Sequence, residues 1–166
     1  MRQLVLLALA LVSGPVSAAE PAHENHFATG LFGSAYLVVG SDKTIHGHYG
    51  GGVFFEAHVV PHYLAIEVGL QVLSASGALE LPFDVLFKVP FHVKPWCEPF
   101  VGLGPTFVPA IHGGVTSWHF GVAFVGGAYW WLHPHVGLLT TLSYNIIANS
   151  GAQHEVGLQV GPVFGF

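Results

Sequence analysis

The sequence predicts an all-β fold, an eight-stranded antiparallel up-and-down transmembrane β-barrel, on three observations. Only 8% of the 166 residues are charged while 52% are apolar, far from the roughly 25% charge of an ordinary soluble domain. The apolar excess is interleaved with 22 glycines and 11 prolines, which long helices tolerate poorly. Beyond the N-terminal segment, apolar residues alternate with small or polar ones and never build a block of the about 20 residues a membrane helix needs. The same composition argues against an ordinary soluble enzyme domain. It also argues against a nucleic-acid partner, because four basic residues cannot neutralise a row of phosphates.

The chain opens with Met1-Arg2-Gln3, an apolar run over residues 4–12 and the small-residue end Val16-Ser17-Ala18. That order predicts a signal peptide over residues 1–18, cleaved after Ala18. A short periplasmic tail over residues 19–26 and a barrel over residues 27–166 follow. Cleavage removes Arg2 and leaves three lysines against nine carboxylates, a formal charge of −6. Cys97 is the only cysteine, so the chain forms no internal disulfide and is not a stapled secreted scaffold. An exported, apolar chain with neither disulfide nor membrane helix points to membrane-spanning strands, whose mark is alternation.

Eight strands are expected. The first, residues 27–39, alternates weakly and its register stays open. In the second, residues 47–59, Val53, Phe55 and Ala57 oppose Gly52, Phe54 and Glu56. The third, residues 63–73, sets Leu64, Ile66, Val68, Leu70 and Val72 against Ala65, Glu67, Gly69 and Gln71. The fourth, residues 78–91, is the clearest. Leu79, Leu81, Phe83, Val85, Phe87, Val89 and Phe91 face one way, and Glu80, Pro82, Asp84, Leu86, Lys88 and Pro90 the other. In the fifth, residues 96–108, Val101, Leu103 and Phe107 oppose Gly102, Gly104 and Thr106. In the sixth, residues 115–130, Trp118, Phe120, Val122 and Phe124 oppose His119, Gly121 and Ala123. In the seventh, residues 135–147, Val136, Leu138, Leu142 and Ile146 oppose Gly137, Thr141, Ser143 and Asn145. The eighth, residues 153–166, sets Val156, Leu158, Val160, Pro162, Phe164 and Phe166 against Glu155, Gly157, Gln159, Gly161, Val163 and Gly165. Each reaches the about 9–11 residues that cross a bilayer at a tilt. Closure removes the sheet edges a bilayer does not tolerate.

The connections fall into two sets. Val60-Pro61-His62, Val93-Lys94-Pro95 and Leu132-His133-Pro134 are tight and built on proline. With both termini at their end, they read as the periplasmic set. Connections near residues 40–45, 74–77, 109–114 and 148–152 form the extracellular set. Aromatics fall near strand ends, as interfacial girdles do. Tyr63, Phe91, Trp96, Tyr129, Trp130 and Trp131 lie at the proline end, and Tyr36, Tyr49, Trp118 and Tyr144 at the other.

Seven charged residues fall within strands: Glu56, Glu67, Glu80, Asp84, Lys88, Glu98 and Glu155. All lie on the face opposite the apolar one. A soluble ligand-binding barrel reverses this, with polar residues outside and an apolar cup within. The charges are therefore expected in the lumen.

The terminal Gly157-Leu158-Gln159-Val160-Gly161-Pro162-Val163-Phe164-Gly165-Phe166 and the stretch Pro99-Phe100-Val101-Gly102-Leu103-Gly104 resemble the small eight-stranded outer-membrane β-barrel family, OmpA-like or OmpX-like. The terminal stretch is similar to that family's C-terminal assembly signal, carried here by Phe164 and Phe166. The internal stretch is similar to its "PYVGLG" strand opening. The resemblance implies a bacterial outer-membrane protein set among outer-membrane lipid and inserted by the barrel assembly machinery. Two departures, short extracellular connections and few basic residues, argue against borrowing the family's adhesive or lipopolysaccharide-binding roles.

An eight-stranded barrel is filled by side chains rather than open as a pore. Lys88 on the fourth strand is expected to pair with Glu67 and Glu98 on its neighbours, with Glu56 nearby, as a structural plug. The twelve histidines include the pairs His46-Gly47-His48 and His133-Pro134-His135. A weak metal site at the extracellular rim could draw on His46, His48, His112 and His154, with Asp42, because imidazole and carboxylate suit zinc or copper. The nearest nucleophile–base–acid assembly is Ser117, His119 and Glu155, with no family motif around it. The sequence therefore reads as a monomeric outer-membrane barrel with a structural or interaction role, no cofactor, no dedicated metal and no catalytic site. A lipid-modifying barrel enzyme of the lipid A deacylase kind and a narrow small-solute transport or sensing barrel are the alternatives.

Overall fold

The computed structural model describes residues 25–40, 44–75, 78–148 and 152–166. The expected signal peptide, most of the tail, Asp42 and the tips of three connections lie outside these residues. The strands are β1 (Phe27–Val39), β2 (Ile45–Val60), β3 (Leu64–Ala75), β4 (Ala78–Glu80), β5 (Phe83–Pro90), β6 (Cys97–His112), β7 (Val115–His133), β8 (Val136–Ala148) and β9 (Ala152–Gly165). Every pairing is antiparallel. Chain neighbours pair in turn, except that β4 and β5 each pair with β3 and β6, and β9 returns to β1, with Ala28 opposite Gly165 and Val39 opposite His154. That last pairing closes the sheet into an eight-membered ring.

The fourth expected strand is two segments, and Pro82 is the reason. Proline has no N–H to give a ladder, so β4 ends at Glu80 and β5 starts at Phe83. Two bonds carry the sheet across the gap. Gln71 N donates to Pro82 O at 2.9 Å, and Leu81 N donates to Pro109 O at 2.9 Å. Both segments pair with β3 and with β6, so they act as one staff of the barrel, and the alternation passes through the break in phase. β7 runs to His133, three residues past its expected end, and its turn centres on Pro134. Trp131 N, donating to Trp96 O at 2.9 Å, ties that extension to the neighbouring turn.

The alternation of the sequence is the alternation of the walls. Outward positions are apolar and exposed, among them Leu31, Val53, Val68, Leu70, Phe87, Leu103, Phe124, Leu142 and Leu158. The open register of β1 resolves with Ala28, Phe32, Ser34, Tyr36 and Val38 inside. All seven strand charges point inward, where Glu56, Glu67, Asp84, Lys88 and Glu155 are buried. The lumen is not wholly polar. Phe32, Phe54, Leu86, Phe100, Val125, Tyr129, Leu139 and Val163 form an apolar packing layer inside. Tyr36, Val38 and Leu73 form another.

Three aromatics expected in the interfacial girdles belong to that interior. Tyr129 and Tyr36 are buried and Trp131 packs against the inner layer, because all three take the inward parity of their strands. Tyr63, Trp96, Tyr49 and Trp118 are exposed on the outside as expected. Glycine makes room for one of the buried rings. Gly157 is the register partner of Tyr36 across β1 and β9, and the Tyr36 ring lies where a Cβ at 157 would stand.

Candidate functional site

The centre of the lumen is built on Lys88, which is 2% exposed. Its ammonium lies 3.0 Å from Glu56 Oε2 and also contacts Glu67 Oε2. It donates to the Tyr129 hydroxyl at 3.0 Å, and Tyr129 in turn donates to Glu56 Oε2 at 2.6 Å. The Phe100 ring centroid lies 4.2 Å from Nζ and that of Phe54 5.7 Å, so the cation is also held by ring faces. Strand register explains the meeting. Glu56 is opposite Glu67 across β2 and β3. Lys88 is opposite Ala65, one same-face step from Glu67. Two carboxylates that would repel are thus bridged by one ammonium.

Of the four residues expected in this network, Glu56, Glu67 and Lys88 come together and Glu98 does not. Lys88 is opposite Gly102, so Glu98 sits four residues nearer the mouth, roughly 13 Å along the strand. There Glu98 Oε2 accepts from Trp131 Nε1 at 3.2 Å, and Oε1 lies 3.4 Å from His92 Nε2. Counting residues from the turn misjudged its depth, because the β5–β6 connection is longer than the β2–β3 one. Glu98 lines a cavity at the proline-turn mouth with His26, His58, His62 and His92. His58 Nε2 lies 3.1 Å from Glu56 Oε1, and the His62 and His92 rings meet edge-on at 4.8 Å. His92 lies in the connection, and its imidazole is held below the usual histidine range. Burial is the main cause, opposed by Glu98 and reinforced by His62 and His58.

The four rim histidines do not converge. His46 pairs with Thr44 Oγ1 at 3.0 Å, and His48 Nδ1 lies 3.1 Å from Glu80 Oε2. His112 ends β6. His154 takes the outward parity of β9 and meets the Tyr144 hydroxyl at 2.8 Å on the outer wall. Among the described residues no group of three or more His, Cys, Asp or Glu is placed to hold a metal ion. Ser117 Oγ and His119 Nε2 do meet, at 3.0 Å. Glu155 does not join them. Its carboxylate accepts from Asn145 Nδ2 at 3.2 Å and Gln153 Nε2 at 2.9 Å, and its register partner chain runs through Asn145 to Ala123, four residues below His119. Phe164 and Phe166 face outward at the closing seam, where the Phe166 ring stacks on Phe27 at 5.9 Å.

The residues that sequence reasoning missed are Tyr129, Phe54, Phe100 and His58. Their inward parity was available, yet no local pattern says which inward residues meet across the barrel.

No protein-family model matches the chain, and no curated protein matches it in sequence. Solved structures do match its shape. It has the fold of the small outer-membrane barrels. Neisserial surface protein A (NspA) superposes with a TM-score of 0.72 at 14% identity, over 85% of this chain and 97% of that one. Ail, the attachment invasion locus protein of Yersinia pestis, gives 0.65 at 11% identity, over 86% and 99%. The outer membrane protein OprG from Pseudomonas aeruginosa gives 0.62 at 12%, over 87% and 97%. At these identities the likeness is one of fold, reached by different residues.

Proposed function

We propose that the protein is an integral barrel of the bacterial outer membrane, exported with a cleaved signal peptide, with a plugged lumen and a structural or interaction role rather than a catalytic one. The observation that carries this reading is the Lys88–Glu56–Glu67–Tyr129 cluster wedged between Phe54 and Phe100. Charged groups locked to one another and to rings fill the bore and leave no aqueous path. The exposed apolar outer wall meets outer-membrane lipid, and the protein acts as a monomer. Phe164 and Phe166 act as the segment that the barrel assembly machinery reads. The test joins fractionation to conductance. The protein should travel with outer membranes, migrate differently on unboiled and boiled gels, and give no conductance steps in planar bilayers. Regular steps would sink the plugged lumen, and recovery in the soluble fraction would sink the membrane assignment.

One other reading has a specific observation behind it. The Ser117 hydroxyl and His119 imidazole meet at 3.0 Å near the barrel rim, a nucleophile beside a base as a lipid-modifying barrel needs, although both take the inward parity of β7 rather than the lipid-facing one. The pair has no acid, so its expected outcome is negative: lipid A mass profiles with and without the protein should be the same. A mass loss equal to an acyl chain, abolished by Ser117→Ala, would establish the enzyme reading instead.

A further inference from the structure

On the far side of Lys88 from the proline turns lies another, inner cavity of about 20 Å³, lined by Tyr36, Glu67, Gln71, Asp84, Ser143 and Asn145 among others. That volume admits one or two water-sized occupants. Its polar lining offers oxygen and amide groups, with no imidazole and no thiol. Two carboxylates reach it, Glu67 and Asp84, both 8% exposed. They share an inward face, one step apart diagonally, because Gly69 is the register partner of Asp84 and Leu86 that of Glu67.

The charges around this cavity do not balance. Lys88 faces Glu56 and Glu67 and is saturated by them. Among the described residues no ion pair reaches Asp84. Its carboxylate accepts from neutral donors alone, Gln71 Nε2 at 3.1 Å and the Thr106 hydroxyl. Three carboxylates, Glu56, Glu67 and Asp84, outnumber the two basic side chains that reach them, Lys88 and His58, and neither of those pairs with Asp84, in a bore that water barely enters. Buried charge of this kind must be paired or coordinated. A separate observation points into the same space. Asn145 is 8% exposed, and its Nδ2 is spent on Glu155. Its Oδ1 is buried with no hydrogen-bond partner. An orphaned acceptor beside uncompensated carboxylates lacks a donor or a cation.

We propose that this inner cavity is a calcium site, with Asp84, Glu67 and Asn145 Oδ1 as its principal ligands and the hydroxyls of Tyr36 and Ser143 completing the oxygen shell. The donor set selects a hard cation, since zinc and copper prefer the nitrogen and sulfur that are missing here. Two carboxylates at one small cavity supply the charge that a divalent ion needs. Calcium accepts an irregular shell of about 6–8 oxygens, whereas magnesium keeps several of its waters, for which the cavity has no room. The site goes beyond the plugged-barrel reading and rests on it only in taking the lumen as closed.

The full mature chain, refolded into detergent micelles with calcium or with a chelator, tests this. Calcium retained per chain after gel filtration is measured by elemental analysis, and folding by the shift on unboiled gels. The expected result is one calcium per chain, with the heat-induced loss of the gel shift moved to higher temperature. Asp84→Asn should weaken calcium binding about tenfold or more, while Glu80→Gln at the rim leaves it unchanged. If Asp84→Asn does not refold, Asn145→Ala is the alternative variant and should also weaken binding. Absence of retained calcium overturns the proposal. So does equal retention by a folded Asp84→Asn or Asn145→Ala chain, or equal competition by sodium, potassium or magnesium. Conductance is read separately, so a leaking barrel and an empty calcium count are distinguishable failures.

Discussion

Tyr129 donates its phenolic proton to Glu56 at 2.6 Å although 73 positions separate them in the chain, and their strands stand on opposite sides of the ring. This single bond crosses the bore and ties β7 to β2. The Tyr129 ring also packs on Phe100, 5.0 Å between centroids.

Tyr129→Phe keeps that packing and removes only the hydroxyl. Glu56 and Lys88 each lose a buried partner. The expected cost is about 1–3 kcal/mol, read as a lower urea midpoint for barrels folded in lipid vesicles. An unchanged midpoint means that the hydroxyl is dispensable.

Lys88→Met should cost more, about 3–5 kcal/mol, because it strands two buried carboxylates without a cation. Adding Glu56→Gln and Glu67→Gln to Lys88→Met should restore much of the loss. If the triple variant is no better folded than Lys88→Met alone, the destabilisation comes from packing and not from charge. The comparison needs only unfolding curves of the two variants beside the parent.

Gly157→Ala should disturb the β1–β9 seam, since the Tyr36 ring covers Gly157. Overpacking of this kind costs about 1–3 kcal/mol. Tyr36→Ala makes space for the methyl, so Gly157→Ala should cost less in that background than in the parent. A double-mutant cycle in urea measures this coupling, and strict additivity would refute it.

His92 supplies a pH dependence with a definite sign. Its folded-state pKa is lowered, mainly by burial, with Glu98 opposing. The unfolded chain therefore takes up this proton first as pH falls. The stabilising contribution is present above about pH 6.5, the ordinary histidine value, and is lost as pH falls toward the lower folded value. An NMR titration of the His92 ring should show the depressed midpoint. His92→Gln should flatten that part of the stability profile. A midpoint at or above the ordinary value contradicts the prediction.

The barrel was legible in the sequence because its main signal is local. A strand sends neighbouring side chains to opposite walls, so parity alone placed Leu70, Phe87 and Leu158 outside and Glu67, Asp84 and Lys88 inside. Glu67 and Lys88 were also readable as partners, since they lie on consecutive strands. Pro82 was visible, yet its effect on β4 and β5 was not, because the break depends on which neighbours carry the ladder past it. Glu98 shows the limit more sharply. Its parity was right and its depth wrong, since depth follows from tilt and turn length together.

By itself, the sequence determined which residues face lipid and which face the bore, and that the chain must close on itself. Those properties follow from a period of two and from the cost of an open edge in a bilayer. Only the tertiary structure decided who meets whom inside. Stagger around the ring set Tyr129 against Glu56, moved Glu98 to the mouth and left Asn145 Oδ1 without a partner. Contacts across the bore depend on the offsets accumulated over several strand pairs, and no single stretch of sequence contains that sum.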